Sequence, residues 1–141
     1  MIEVVNRQRR KRVDLSRWQK FAERVMALTS KGQERATIAF VSNRQIRRLN
    51  KRFRGIDKVT DVLSFPADQE GQQDPLESNL GDIAISVEKA ETQAAENGLD
   101  YNCEIAQLIL HGILHLCGYD HEADQGEMNR VELRLRRQLQ I

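Results

Sequence analysis

A chain of 141 residues, 40% apolar and 30% charged, is the size of one domain with a core of its own. No apolar run approaches the roughly 18 residues of a membrane span, the basic stretch at residues 7–12 leads into no signal-type apolar segment, and two cysteines cannot build a secreted disulfide framework; a reduced, cytosolic protein is expected. The net charge of +1 conceals an asymmetry, since residues 1–54 hold 16 basic and 4 acidic side chains (+12) and residues 55–141 hold 6 and 17 (−11), which leaves either a basic face open to polyanions or a basic half neutralised by the acidic one.

Residues 2–5 are a β-branched apolar run and read as an opening strand. From Leu15, the residues Trp18, Phe21, Ala22, Val25 and Met26 recur at helical spacing, with Asp14 as the cap before them and Gly32 as the stop after. Residues 36–41 form a second strand, and Ser42 with Gln45 has capping-box form ahead of Ile46, Leu49 and Phe53. The helix so opened carries Arg44, Arg47, Arg48, Lys51 and Arg52, which is a solvated face by the ordinary reading and a nucleic-acid face if the charges cluster. A third strand at 62–65 ends at Pro66, a polar loop occupies 67–79, and Ile83, Ala84 and Ile85 mark a fourth strand. Ser86 caps a helix that stops near Gly98, and Asp100 caps the next. In that next helix Ile105, Leu108, Ile109, Ile113, Leu114 and Leu116 cover so much of the circumference that it should be the buried central helix, ending at Gly118. A last amphipathic helix carries Met128, Val131 and Leu135. This order of elements predicts a single α+β domain over residues 1–141.

The chain has three histidines, His111, His115 and His121, all within eleven residues. Positions four apart lie one above the other on a helix, so His111 and His115 present two imidazoles to one ion. A left-handed residue at Gly118 would end the helix and swing His121 back to complete a triad with an open fourth position for water. The bland alternative makes His111 and His115 core histidines bonded to backbone, with His121 on the surface. The spacing is that of the zinc-protease motif HExxHxxGxxH, but the glutamate that serves those enzymes as general base is replaced by Gly112. Glycine inside a helix costs about 1 kcal/mol relative to alanine, so Gly112 points to a steric need such as close approach of backbone or substrate.

The run from His111 to His121 resembles the HGxLHLxGYDH signature of the YbeY family, metal-dependent bacterial endoribonucleases of ribosomal RNA maturation. Arg54, Gly55, Lys58 and the run from Thr60 to Pro66 resemble its RGxxKxTDVLSFP segment, and Leu80 to Ile83 its LGDI. This resemblance implies a mixed four-stranded sheet packed with about five helices and one zinc-type ion per chain on the three histidines at the end of the central helix. It also implies single-stranded RNA, ribosomal RNA and ribosomal subunits as partners, with cleavage in 16S 3′-end maturation and ribosome quality control. Arg54 matches the family's cleft arginine.

An ion on neutral imidazoles keeps its charge, acidifies water and polarises a phosphoryl oxygen, and Arg54 offers a planar, charged fork to the phosphate. Asp82 reads either as a carboxylate orienting an imidazole or as a loop cap, and Asp120 as a partner of His121, a base or a turn residue. Cys117 would close a structural site with four protein ligands, but two positions beyond His115 it should face away from the imidazoles. Two other readings stand beside the nuclease: a different metal-dependent hydrolase, and a ribosome-associated RNA-binding protein with a structural zinc.

Overall fold

The computed structural model describes residues 1–30, 34–67, 79–120 and 124–141. In chain order the elements are β1 (Ile2–Asn6), α1 (Leu15–Thr29), β2 (Arg35–Val41), α2 (Asn43–Arg54), β3 (Val62–Pro66), β4 (Asn79–Ser86), α3 (Val87–Asn97), α4 (Tyr101–Leu116) and α5 (Glu127–Leu139). The expected caps set the helix starts. Asp14 Oδ1 accepts from the Arg17 amide at 3.1 Å, Ser86 Oγ from Lys89 at 3.2 Å and Asp100 Oδ2 from Asn102 at 3.2 Å. At α2 the capping box closes both ways, with the Gln45 amide donating to Ser42 Oγ at 3.2 Å and the Ser42 amide to Gln45 Oε1 at 2.7 Å. Each bond satisfies a donor that lacks a partner within its helix.

Two expected boundaries move. Helix α1 stops at Thr29, where the Ser30 amide caps back onto the Met26 carbonyl, and Gly32 lies outside the described residues. The loop expected to reach Asn79 gives way to strand there, because Gly81 and Asp82 already pair with Pro66 and Phe65. Polar Asn79 and Asp82 hid this part of the strand from an apolar pattern.

The sheet order is β1-β2-β4-β3, with β1/β2 and β2/β4 parallel and β3/β4 antiparallel, which is the mixed four-stranded sheet expected. Side-chain parity divides it into two faces. Ala36, Ile38 and Phe40 of β2 and Ile83 and Ile85 of β4 join the main core with α1, α3, α4 and α5. Val41, Leu63 and Ala84 point the other way, onto Ile46 of α2. Helix α4 is the buried central helix: Ile105, Ile109, Leu110, Ile113 and Leu114 are fully enclosed, each contributing about 1.5–3 kcal/mol. Among the described residues no helix is long and apolar enough to cross a membrane.

Gly112 explains how α4 reaches the sheet. A Cβ there would stand 2.9 Å from Ile83 Cγ2, so the missing side chain is what lets α4 lie against β4. Ser64 of the edge strand β3 adds a polar tie, its hydroxyl donating to the Gly112 carbonyl at 3.3 Å. The histidine-bearing turns of α4 are thereby fixed to one edge of the sheet.

Candidate active site

His111 and His115 stand one turn apart on α4, both half-buried, with rings edge to face and centroids 4.6 Å apart. Their Nε2 atoms converge to 3.0 Å. The opposite nitrogen of His111, Nδ1, lies 3.3 and 3.4 Å from the two carboxylate oxygens of Glu132 on α5. An ionised carboxylate only accepts, so Nδ1 carries the proton and Nε2 of His111 presents a lone pair toward His115. Two such nitrogens hold this separation with a proton or a cation between them. Ligation by both at 2.0–2.1 Å in a tetrahedron would place them about 3.3 Å apart, so the pair fits a zinc-type ion.

Glu132 is the functional residue that the sequence reading missed. It is 4% exposed, and Arg136 Nη2 donates to its Oε1 at 3.0 Å. Burial alone would raise its pKa, but the hydrogen bond and charge of His111 together with Arg136 outweigh burial and leave it lowered. Carboxylate–histidine pairs of this kind fix the ring and its tautomer. The signal was present: Met128, Glu132, Leu135 and Leu139 form the buried stripe of α5, a stripe in which one residue is charged.

Past the imidazoles, α4 ends as expected. Gly118 has φ +100, its amide donates to the His115 carbonyl at 3.0 Å and the Tyr119 amide to the Leu114 carbonyl at 3.1 Å, the paired bonds of a Schellman turn. His121 lies outside the described residues, and among the described ones no three metal-ligating side chains converge. Asp120 is exposed just after the turn, and its carbonyl accepts from the Asp124 amide at 3.1 Å. Cys117 does face away: its Sγ meets the Thr29 carbonyl of α1 at 3.9 Å, and burial pushes the thiol pKa up. If the imidazoles hold an ion, Cys117→Ala should therefore leave the metal content at the parental level, as read by metal analysis of the purified variant. Loss of the metal would promote the structural-zinc reading.

A cleft of about 460 Å³ opens beside His111, lined by Asp61, Gln93, Glu104, Glu132 and Arg136 among others. Asp61 is fully engaged, with Oδ1 accepting from the Val62 amide at 2.7 Å and Oδ2 from Gln93 Nε2 at 3.0 Å. Glu104, the one Asp, Glu, Lys or Arg of α4, is only 6% exposed. Burial, with the Asp61 charge nearby, raises its pKa, and Arg136 opposes the rise. The unfolded chain thus releases this proton at lower pH than the folded one, and between the two values stability falls as pH climbs.

Asp82 needs correcting. It is exposed and shares a sheet face with Phe65 and Ala84, the face that α2 covers, whereas α4 packs on the face of Ile83. The sheet lies between it and the rings of His111 and His115, so of its two readings the orienting one does not hold for those two imidazoles. Arg54 is the exposed last residue of α2, followed by Gly55 at φ +71. It has no hydrogen bond or ion pair among the described residues. Helices α2 and α4 pack on opposite faces of the edge strand β3, with Phe53, next to Arg54, against Phe65 at 5.2 Å between ring centroids and Gly112 of α4 tied to Ser64. Arg44, Arg47, Arg48, Lys51 and Arg52 are all exposed along α2, and Arg47 is drawn to Asp57 at 2.8 Å.

The profile of the family described as Endoribonuclease YbeY matches residues 3–140. A protein of that name from Thermoanaerobacter sp. strain X514 is 39% identical over 132 residues, 83% of each chain. Another from Desulforamulus reducens is 50% identical over 101 residues, 67% of this chain and 65% of that one. The solution structure of TM1509 from Thermotoga maritima superposes with a TM-score of 0.65 at 29% identity, covering 95% of this chain and 85% of the other. A chain matched from end to end in this way, with the histidine helix laid on the sheet edge as described, belongs to the YbeY endoribonuclease family.

Proposed function

We propose that this protein is a metal-dependent, single-strand-specific endoribonuclease acting on ribosomal RNA, in 16S 3′-end maturation and ribosome quality control, within the cytoplasm and on ribosomal subunits. The convergence of the His111 and His115 Nε2 atoms at 3.0 Å, with Glu132 behind His111, carries the metal-dependent part of this reading. His111, His115 and His121 would hold one zinc-type ion. When bound, the ion supplies Lewis acidity at a phosphoryl oxygen and an acidified water.

The chain's own residues do the rest. Glu132 keeps the proton of His111 on Nδ1, so the Nε2 atom carries the lone pair with which it would ligate. Arg54 gives a bidentate, charge-assisted pair to the scissile phosphate and to the charge that builds up on it. The exposed arginines of α2 draw the backbone in without regard to sequence. The edge of β3 leads a strand from this basic face to the histidines, and a single strand suits it because its bases are free to leave the backbone path.

His115→Ala removes one anchoring ligand, and bound zinc and RNA cleavage should fall together. Zinc titration beside a cleavage assay with and without chelator decides the point: full cleavage by metal-free protein, or parental zinc affinity in the variant, defeats the proposal. The family's endoribonuclease character favours RNA over peptide or ester substrates.

A further inference from the structure

Buried carboxylates in folded proteins are bonded, because an unpaired one loses its hydration with nothing in return. Glu104 is the exception that the cleft accounts for: 6% exposed as a residue, it makes no side-chain hydrogen bond among the described residues, and its carboxylate oxygens are reached only from the cleft beside His111. Arg136, lining the same cleft, has a buried Nε–H without an acceptor. The cleft therefore offers a carboxylate with no hydrogen bond and, in Arg136, a guanidinium whose Nη2 alone is bonded among the described residues, to Glu132. Gln93 and Gln107 add amides to its wall.

The walls select what enters. Asp61, Glu104 and Glu132 repel a phosphate, so the part of an RNA strand that fits is a base and not the backbone. A bare cation fits poorly, because no three metal-ligating side chains converge among the described residues. Glu104 stands seven residues before His111 on the same helix, about 10 Å along the axis at 1.5 Å per residue. That is the reach from a phosphate held near the imidazoles to the far edge of an adjoining base.

We propose that the cleft reads a guanine next to the scissile phosphate, with Glu104 accepting from N1–H and the N2 amine and Arg136 donating to O6. Guanine is the base whose pairing edge sets two adjacent donors beside an acceptor, which matches a carboxylate with a guanidinium next to it. Uracil and cytosine each offer a carboxylate one donor on that edge, and adenine offers its amine alone. The placement of the scissile phosphate rests on the metal-centre reading above, while the recognition of the base does not.

The test uses the full chain and oligouridylates carrying one guanosine, inosine or adenosine, where inosine differs from guanosine only by the missing N2 amine. Cleavage is read in single turnover with zinc present, and binding by fluorescence anisotropy with chelator present. The parent should favour guanosine over inosine and adenosine roughly tenfold in both measurements, and Glu104→Gln should bring the guanosine-to-inosine ratio close to one. The ratio within each protein cancels any change in overall rate, and the parent's own preference decides the matter even if the variant folds badly. Equal handling of guanosine and inosine by the parent, or an unchanged ratio in Glu104→Gln, overturns the proposal. If the parent cleaves none of these RNAs, the metal-nuclease reading falls while the anisotropy ratio still judges the guanine site.

Discussion

Replacing Gly81 with alanine should destabilise the protein by about 4 kcal/mol or more, enough to remove most of a typical stability of about 5–15 kcal/mol. Gly81 adopts φ +133, a region closed to side chains, and a Cβ there would lie 2.1 Å from the Phe65 carbonyl oxygen and 2.8 Å from the Ala67 nitrogen. Both neighbours are backbone, so no rotamer change relieves the clash. They belong to the β3 end of the ladder, where the Ala67 amide donates to the Leu80 carbonyl at 2.9 Å and Pro66 pairs with Gly81. Since β3 also carries the Ser64 tie to Gly112, the damage should reach the histidine turns, and zinc affinity should fall with the unfolding midpoint. Gly98→Ala separates strain from clash: φ is +65 there, and a Cβ meets nothing within 4 Å. That substitution should cost only about 1 kcal/mol. Urea titrations of both variants check the contrast, and a parental midpoint for Gly81→Ala would show that the strand pair yields more easily than its backbone contacts imply.

What the sequence showed well was local. A cap needs one side chain and an amide two or three residues on, so Asp14, Ser42, Ser86 and Asp100 were readable one by one, and so was the turn at Gly118. Gly112 was readable as a close approach, although its neighbour, Ile83, comes from another element. Long-range partners were not. Glu132 meets His111 across 21 residues, and Gln93 meets Asp61 across 32; helical periodicity alone identifies neither partner. The orienting reading of Asp82 toward His111 or His115 fell for a related reason. Strand parity put it opposite Ile83, but which face α4 covers depends on β4 entering the sheet between β2 and β3. The family motifs carried the mixed sheet that patterning did not order. A charged residue in an apolar stripe was the overlooked local clue, at Glu104 on α4 as at Glu132 on α5.

The other large effect concerns Arg54 and separates holding an ion from acting on RNA. A guanidinium does not ligate a cation, and Arg54 is exposed at the end of α2 with no partner among the described residues, so its removal should leave zinc content and fold unchanged. Arg54→Glu should nevertheless lower single-turnover cleavage at saturating RNA by a factor of about 100 or more, because it removes a charge-assisted donor and sets a carboxylate against the phosphodiester. Arg54→Lys should recover little, since a point charge does not reproduce the planar fork. Arg48 lies exposed on the same helix and should behave differently: its neutralisation ought to weaken binding and flatten the salt dependence while leaving the rate at saturation alone. Arg47 should contribute less than Arg48, because Asp57 at 2.8 Å already takes up part of its charge and raises its pKa through that hydrogen bond. The measurement is single-turnover cleavage of unstructured RNA at several salt concentrations, with zinc analysis of every variant. Arg54→Glu cleaving at the parental rate once RNA is saturating would make Arg54 one more attracting charge and leave the imidazole centre without a phosphate clamp on α2.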